Sequence, residues 1–176
     1  MTAERSPSRV LEDTFEHFFS RELRRLEAIA LGLTGRRGLA EELAQEAMLV
    51  VYRRWETISA YDDPAAFARR VVANKSVSAF RRLLAEARAF NRVRAQAEIT
   101  TEVLTERDEA LWAAVRSLPA AQAQALTLRY VADLDIAAIA ATLDCSTGNA
   151  RQLLHRGRRA LAVLVGRDHE EAFDDA

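Results

Sequence analysis

The stretch Leu134–Val165, LDIAAIAATLDCSTGNARQLLHRGRRALAVLV, decides how the chain is read. Ile136, Ile139, Ala140 and Leu143 recur at helical spacing and make one apolar stripe. Asp135 is placed to cap the start of that helix. Asp144-Cys145 predicts a tight turn, because Asp tolerates the left-handed conformation better than most residues. Ser146 then offers a hydroxyl as the next N-cap. In the second helix, at about 100° per residue, Ala150, Leu153, Leu154, Gly157, Leu161 and Leu164 gather on one side. Arg151, Gln152, His155 and Arg159 gather on the other, with Arg158 beside them. From Cys145 to Arg167 there are five arginines and no acid. A short helix, a tight turn and a longer basic helix are the parts of a helix-turn-helix whose second helix enters a DNA major groove. A solvated basic helix on an ordinary bundle is the alternative reading of the same residues.

Working outward, 176 residues suit one or two small domains. A composition 49% hydrophobic with 6 Gly and 3 Pro gives a core of Ala, Leu and Val and favours helices over strands. The net charge of −1 conceals a strong segregation. Pro64 to Leu84 carries five basic residues and no acid, and Asp168 to Ala176 carries five acids and no Lys or Arg. Cys145 is the single cysteine, so no internal disulfide forms, which fits a reducing cytosol. No apolar run is long enough for a membrane span and no signal-peptide core stands at the start, so a cytoplasmic protein without membrane insertion is expected. His17, His155 and His169 lie far apart, outside any metal-ligand spacing, and no metal or cofactor is expected. No Ser/His/Asp, Cys/His or paired-carboxylate constellation suggests an enzyme.

Taken in order, the chain reads as helices throughout. Leu11, Phe15, Phe18, Phe19, Leu23, Leu26, Ile29, Ala30 and Leu33 recur at steps of three and four up to a loop at Thr34–Gly38. A second helix, LAEELAQEAMLVVYRRW over 39–55, turns Leu39, Leu43, Ala47, Val50 and Val51 inward. Glu42, Gln45, Glu46 and Leu49 lie on another side, and by themselves they read as a solvated face. Glu56 to Asp63 reads as a polar loop. Asp63-Pro64 starts a third helix, with Asp as N-cap and Pro at the first helical position. Phe67, Ala68, Val71 and Val72 face inward, while Arg70, Asn74, Val77 and Arg81 form an outer stripe. Trp55 and Tyr61 stand near the start of this helix. Aromatic rings beside a basic stripe suit single-stranded nucleic acid, where bases stack and cations track phosphates; a core Trp and a soluble surface fit equally well. Ala85 to Thr105 loses periodicity and reads as a linker or as one more helix. Ala110, Leu111, Val115 and Leu118 open a second helical unit that Pro119 interrupts, and Gln122 to Val131 continues it.

With these parts in order, the chain resembles a bacterial RNA polymerase sigma factor of the extracytoplasmic-function (ECF) group. Three segments carry the resemblance: LAEELAQEAMLVVYRRW (39–55), DPAAFARRVVANKSVSAFRR (63–82) and SLPAAQAQALTLRYVADLDIAAIAATLDCSTGNARQLLHRGRRAL (117–161). The resemblance implies an all-α chain of two small helical domains joined by a linker, the C-terminal one a helix-turn-helix. Residues 1–86 would be sigma domain 2, 87–105 the linker, 106–167 sigma domain 4, and 168–176 an acidic tail. It implies core RNA polymerase and promoter DNA, duplex and single-stranded, as partners. An anti-sigma factor commonly holds members of the group. Glu42, Gln45 and Glu46 match the segment that meets the polymerase clamp, although the family more often has Asp at the first of these. The loop Thr57–Asp63 and the helix Arg69–Arg82 match the part that takes the melted −10 strand. Trp55, Tyr61, Arg69, Arg70, Asn74, Lys75, Arg81 and Arg82 are the residues so assigned, and Ser78 stands where Asp is frequent. The helix from Thr147 matches the −35 reader, giving Asn149, Arg151, Gln152, His155, Arg156, Arg158 and Arg159. There Asn149-Ala150 replaces the commoner Thr-Val. The expected function is promoter-specific initiation with core polymerase. A helix-turn-helix regulator acting without polymerase, or a helical scaffold, is the rival reading.

Overall fold

Ala- and Leu-rich segments punctuated by capping residues form eight helices among the described residues, 14–90 and 106–165 of this computed structural model. They are α1 (Phe15–Thr34), α2 (Arg37–Tyr52), α3 (Trp55–Ile58), α4 (Pro64–Phe90), α5 (Glu106–Ser117), α6 (Ala120–Tyr130), α7 (Ile136–Leu143) and α8 (Thr147–Val165). The all-α, two-domain expectation is what the structure shows. Leu11, the stretch 91–105 and the acidic tail lie outside the described residues.

The first bundle packs α1, α2 and α4 against one another. Phe18, Leu26, Ile29 and Leu33 of α1 meet Leu43, Ala47, Met48 and Val51 of α2 and Ala68 and Val72 of α4, all buried. Small residues at Ala30, Ala44, Ala47 and Ala68 are fully buried and let the helix axes approach closely. The second bundle packs α6 and α7 on α8, with α5 against α6 and α8. Leu126, Leu128, Ile139, Leu154 and Leu161 form its centre.

Local chemistry explains the helix ends. Thr14 caps α1, its hydroxyl accepting from His17 N at 3.4 Å. Gly35 ends α1 at φ 69°, a left-handed conformation that glycine adopts without steric cost. One element departs from the sequence expectation. Trp55–Ile58, expected to lead into an irregular loop, closes one helical turn, with Ile58 fully buried beneath it. Helix α4 continues to Phe90, into the stretch read as a linker or one more helix, because Ala85–Phe90 contains no residue that breaks a helix.

The two bundles touch. Helix α1 lies against α5 and α6, and α4 lies against α6 and α7. A Cβ added at Gly32 would stand 3.0 Å from Thr127 Cγ2, and one at Gly35 would stand 2.8 Å from Arg116 Cζ. Arg116 is 7% exposed and pairs with Glu109 of its own helix, so it is held over the Gly35 backbone. Gly38, in the first turn of α2, has nothing within 4 Å of an added Cβ. Gly35→Ala therefore costs about 1–2 kcal/mol of stability from its positive φ alone. Gly38→Ala should gain about 0.5–1 kcal/mol by stiffening the unfolded chain and the helix start. Urea unfolding of the two variants, followed by circular dichroism, checks the opposite signs.

Candidate nucleic-acid interface

The helix-turn-helix is built by its caps. Asp135 Oδ1 accepts from Ala138 N at 2.7 Å and starts α7. Asp144 ends it at φ 55°, ψ 52°, the left-handed turn that Asp tolerates. Cys145 N then returns to Ala140 O at 3.0 Å. Ser146 Oγ accepts from Asn149 N at 3.1 Å and starts α8. This turn directs α8 across the second bundle. Ala150, Leu154, Gly157 and Leu161 are its buried seam. At Gly157 an added Cβ would lie 2.9 Å from Leu126 Cδ1, so the glycine sets how closely α8 and α6 cross. Leu164, expected on the seam, is 56% exposed, while Val165 beside it packs against the core.

The opposite face of α8 meets solvent. Asn149, Arg151, Gln152, His155, Arg156 and Arg159 are exposed, and Arg158 is half-buried. The 19 residues of α8 contain no acid. The result is a rigid helix with donors and cations outward, able to enter a major groove and to offset phosphate charge.

The basic helix α4 is organised differently. Asp63 Oδ1 caps it through Ala66 N at 2.9 Å, and its Oδ2 holds Arg69 at 2.7 Å. Arg81 and Arg82 are exposed, and Lys75 pairs with Glu46 of α2 at 2.7 Å. Arg69 and Arg70 instead meet the helix-turn-helix, and Asn74 meets α6. Arg69 is 6% exposed, and its Nε donates to Thr142 Oγ1 at 3.3 Å. Arg70 donates to Thr142 O at 3.0 Å and Ala141 O at 2.8 Å, and pairs with Asp144 at 3.2 Å. Asn74 Oδ1 accepts from Gln124 Nε2 at 3.0 Å. The sequence stripe is therefore split: its C-terminal half faces solvent and its N-terminal half faces the second bundle.

The aromatics also separate. Trp55 belongs to a cluster with Phe15 and Phe18, at ring distances of 5.7 and 5.0 Å. Tyr61 is 41% exposed and meets Phe67 edge-on at 6.1 Å. Arg54, which the sequence reading passed over, lies over the same Phe67 ring at 5.4 Å. Its place beside the loop in Arg53-Arg54-Trp55 was the available signal. Glu42, Gln45 and Glu46 are exposed on α2. Glu42 and Glu46 border an open cleft of about 430 Å³ whose facing wall carries Asn74, Lys75 and Arg82 of α4. The described residues hold no group of three or more His, Cys, Asp or Glu able to bind a metal, and no described helix is long and apolar enough to cross a membrane.

A helix-turn-helix with an unopposed basic helix, joined to a second helical bundle with its own basic helix, defines a two-domain helical DNA-binding protein. Sigma-70 region 2 matches residues 18–85 and Sigma-70 region 4 matches residues 108–161, together well over half of the chain. The chain belongs to the sigma-70 family and has the two-region make-up of an ECF sigma factor. Sigma factors are not enzymes. Among solved structures it is similar to the sigma factor RpoE of Bartonella quintana, in complex with the anti-sigma factor NepR. The TM-score is 0.67 at 20% identity, over 88% of this chain and 97% of that one. No curated protein matches the sequence.

Loss of either cap should loosen the helix-turn-helix. Asp135→Ala and Ser146→Ala are each expected to lower stability by about 1 kcal/mol, the usual worth of an N-cap. Thermal unfolding of each variant checks this.

Proposed function

We propose that this sigma factor directs core RNA polymerase to promoters by reading duplex −35 DNA with α8 and holding the melted −10 strand on α4 and the loop 57–63. The observation that carries the reading is the outward face of α8: six exposed polar and basic residues with Arg158 half-buried beside them, no acid, on a helix fixed by the Ser146 cap and a buried seam. Arg151, Gln152 and His155, central on that face, are the base-reading candidates. Asn149, Arg156, Arg158 and Arg159 flank them and serve phosphates, which position without specifying. On α4, Lys75, Arg81 and Arg82 track the single strand with Asn74, Arg69 and Arg70, and Tyr61 is the exposed ring on which a base stacks. Trp55, packed among Phe15 and Phe18, acts by supporting that loop.

Energetics fit a binding device without a chemical step. Unstacking and flipping a base costs a few kcal/mol. Stacking on an aromatic ring returns about 1–3 kcal/mol per base, and the basic helix adds phosphate contacts. Duplex reading by α8 fixes the register at which this occurs. The exposed Glu42, Gln45 and Glu46 on α2 face away from the core of their bundle and form the contact to polymerase. A regulator acting without polymerase has no use for a region 2, which supports the initiation reading over that rival. We extend it to a cytoplasmic site of action, where polymerase works, and to control by an anti-sigma factor, since the Bartonella sigma factor is held by one. The bounds of the two units, 1–86 and 106–167, with a linker at 87–105 and an acidic tail at 168–176, belong to the same reading.

Run-off transcription with core polymerase on a genomic library, followed by start-site sequencing, tests this function directly. Specific start sites sharing two spaced elements are expected; an absence of specific initiation removes it. On a promoter so found, Arg151→Ala or Gln152→Ala should cost about 1–3 kcal/mol in discrimination at one −35 base pair if that side chain makes a bidentate contact. Competition between matched and mismatched promoters reads this out. Separately, Gln45→Ala with Glu46→Ala should weaken capture of core polymerase while leaving the fold intact. Pull-down with unchanged yield assigns the core contact elsewhere.

A further inference from the structure

The outward face of α8 is basic from Arg151 to Arg159. Arg151, Arg156 and Arg159 are exposed, and none of them has an ion-pair partner among the described residues. Lys75 and Arg70, by contrast, stand against Glu46 and Asp144 at 2.7 and 3.2 Å. The residues that follow α8, 166–176, read GRDHEEAFDDA. They hold five acids: Asp168, Glu170, Glu171, Asp174 and Asp175. We propose that the acidic segment 168–175 docks on the basic face of α8 and competes there with DNA. The inference rests on the DNA-reading role proposed above for α8 and concerns its regulation.

Reach, electrostatics and tethering each favour this contact. The 19 residues of α8 rise about 1.5 Å each, so the helix is about 28 Å long. The eleven residues 166–176 span about 36 Å when extended, enough to pass back from Val165 to Arg151. Gly166 is the residue type best suited to reversing the chain directly after a helix. The C-terminal end of a helix is the negative end of its dipole. Acids placed just beyond it are repelled by the last carbonyls and gain by stepping back onto the arginines. Covalent attachment holds them there at an effective concentration on the order of millimolar. Arg81 and Arg82, also exposed, belong to α4 of the other bundle and lack that tether. Each exposed pair is weak and screened by salt. Several in parallel make a contact that the denser row of phosphates on a duplex can displace. The segment thus lowers the affinity of α8 for duplexes without closing the face to them.

Three chains test this: the full chain, one lacking 168–176, and one with the same nine residues moved to the N-terminus. The last keeps the net charge and loses the tether. In low salt the shortened and rearranged chains should both bind a labelled duplex of random sequence more tightly than the full chain. The expected factor is about 5- to 20-fold, the lower part of the usual range for coupled sites. It should shrink as salt rises, because exposed charges are then screened. A spin label on Ala176→Cys, in a Cys145→Ser background, should broaden the amide signals of 151–159 in low salt and not in high salt. Measurable but equal affinities of the full and shortened chains overturn the inference. So does a rearranged chain that binds as weakly as the full one, since net charge then explains the effect. Broadening that is absent or centred away from α8 overturns it as well. The label needs no DNA, so chains that bind no duplex sink the proposed function and leave the label to decide this inference.

Discussion

The last carbonyls of α7 must find donors, and how they do so shapes the whole molecule. A helix leaves its final carbonyls without intrahelical partners. Here Asp144 turns left-handed, so that Cys145 N can return to Ala140 O and Asp144 N to Ala141 O. The same turn sends α8 off at the angle that exposes its basic face. Ala141 O and Thr142 O then take Arg70 from the other bundle. One helix end therefore sets both the aim of α8 and its contact with the other bundle.

Magnitudes decide which parts of that contact matter. The Arg70–Asp144 pair is largely solvated, with side chains 35% and 78% exposed, and contributes no more than about 1 kcal/mol. Hydrogen bonds from a guanidinium to carbonyls contribute about 1.5–3 kcal/mol where water is excluded. Arg69 and Thr142 are buried, so that bond resists opening more than the visible ion pair does. At Gly32 the seam is close, since an added Cβ would meet Thr127, Val131 and Trp112. The buried Leu, Ile and Val of the two bundles belong to one continuous apolar cluster. Polar bonds such as Arg69 to Thr142 thus stand at the edge of a shared core.

The division of charge follows from this architecture. Cations on α8 and on the C-terminal half of α4 face water, while those on the N-terminal half of α4 are satisfied by oxygen acceptors. Acids on α2 stand across a cleft from α4, and Glu46 neutralises Lys75. A near-neutral chain can therefore present a basic face to DNA and an acidic face elsewhere without net self-repulsion.

The sequence by itself determined the longer helices, the caps at Asp63, Asp135 and Ser146, and the outward face of α8. Those features depend on residues a few positions apart: Asp135 with Ala138, Ser146 with Asn149, and Ala150, Leu154, Gly157 and Leu161 at helical spacing. Periodicity also placed Arg69, Arg70 and Asn74 on the basic helix, but it could not say what they face. Nothing in DPAAFARRVVANK signals that Arg70 will meet carbonyls more than 70 residues away, because backbone oxygens carry no sequence signature. Trp55 likewise reads the same whether it borders DNA or packs on Phe15 and Phe18. Tertiary structure alone decided these points, since they depend on which surfaces the two bundles bring together.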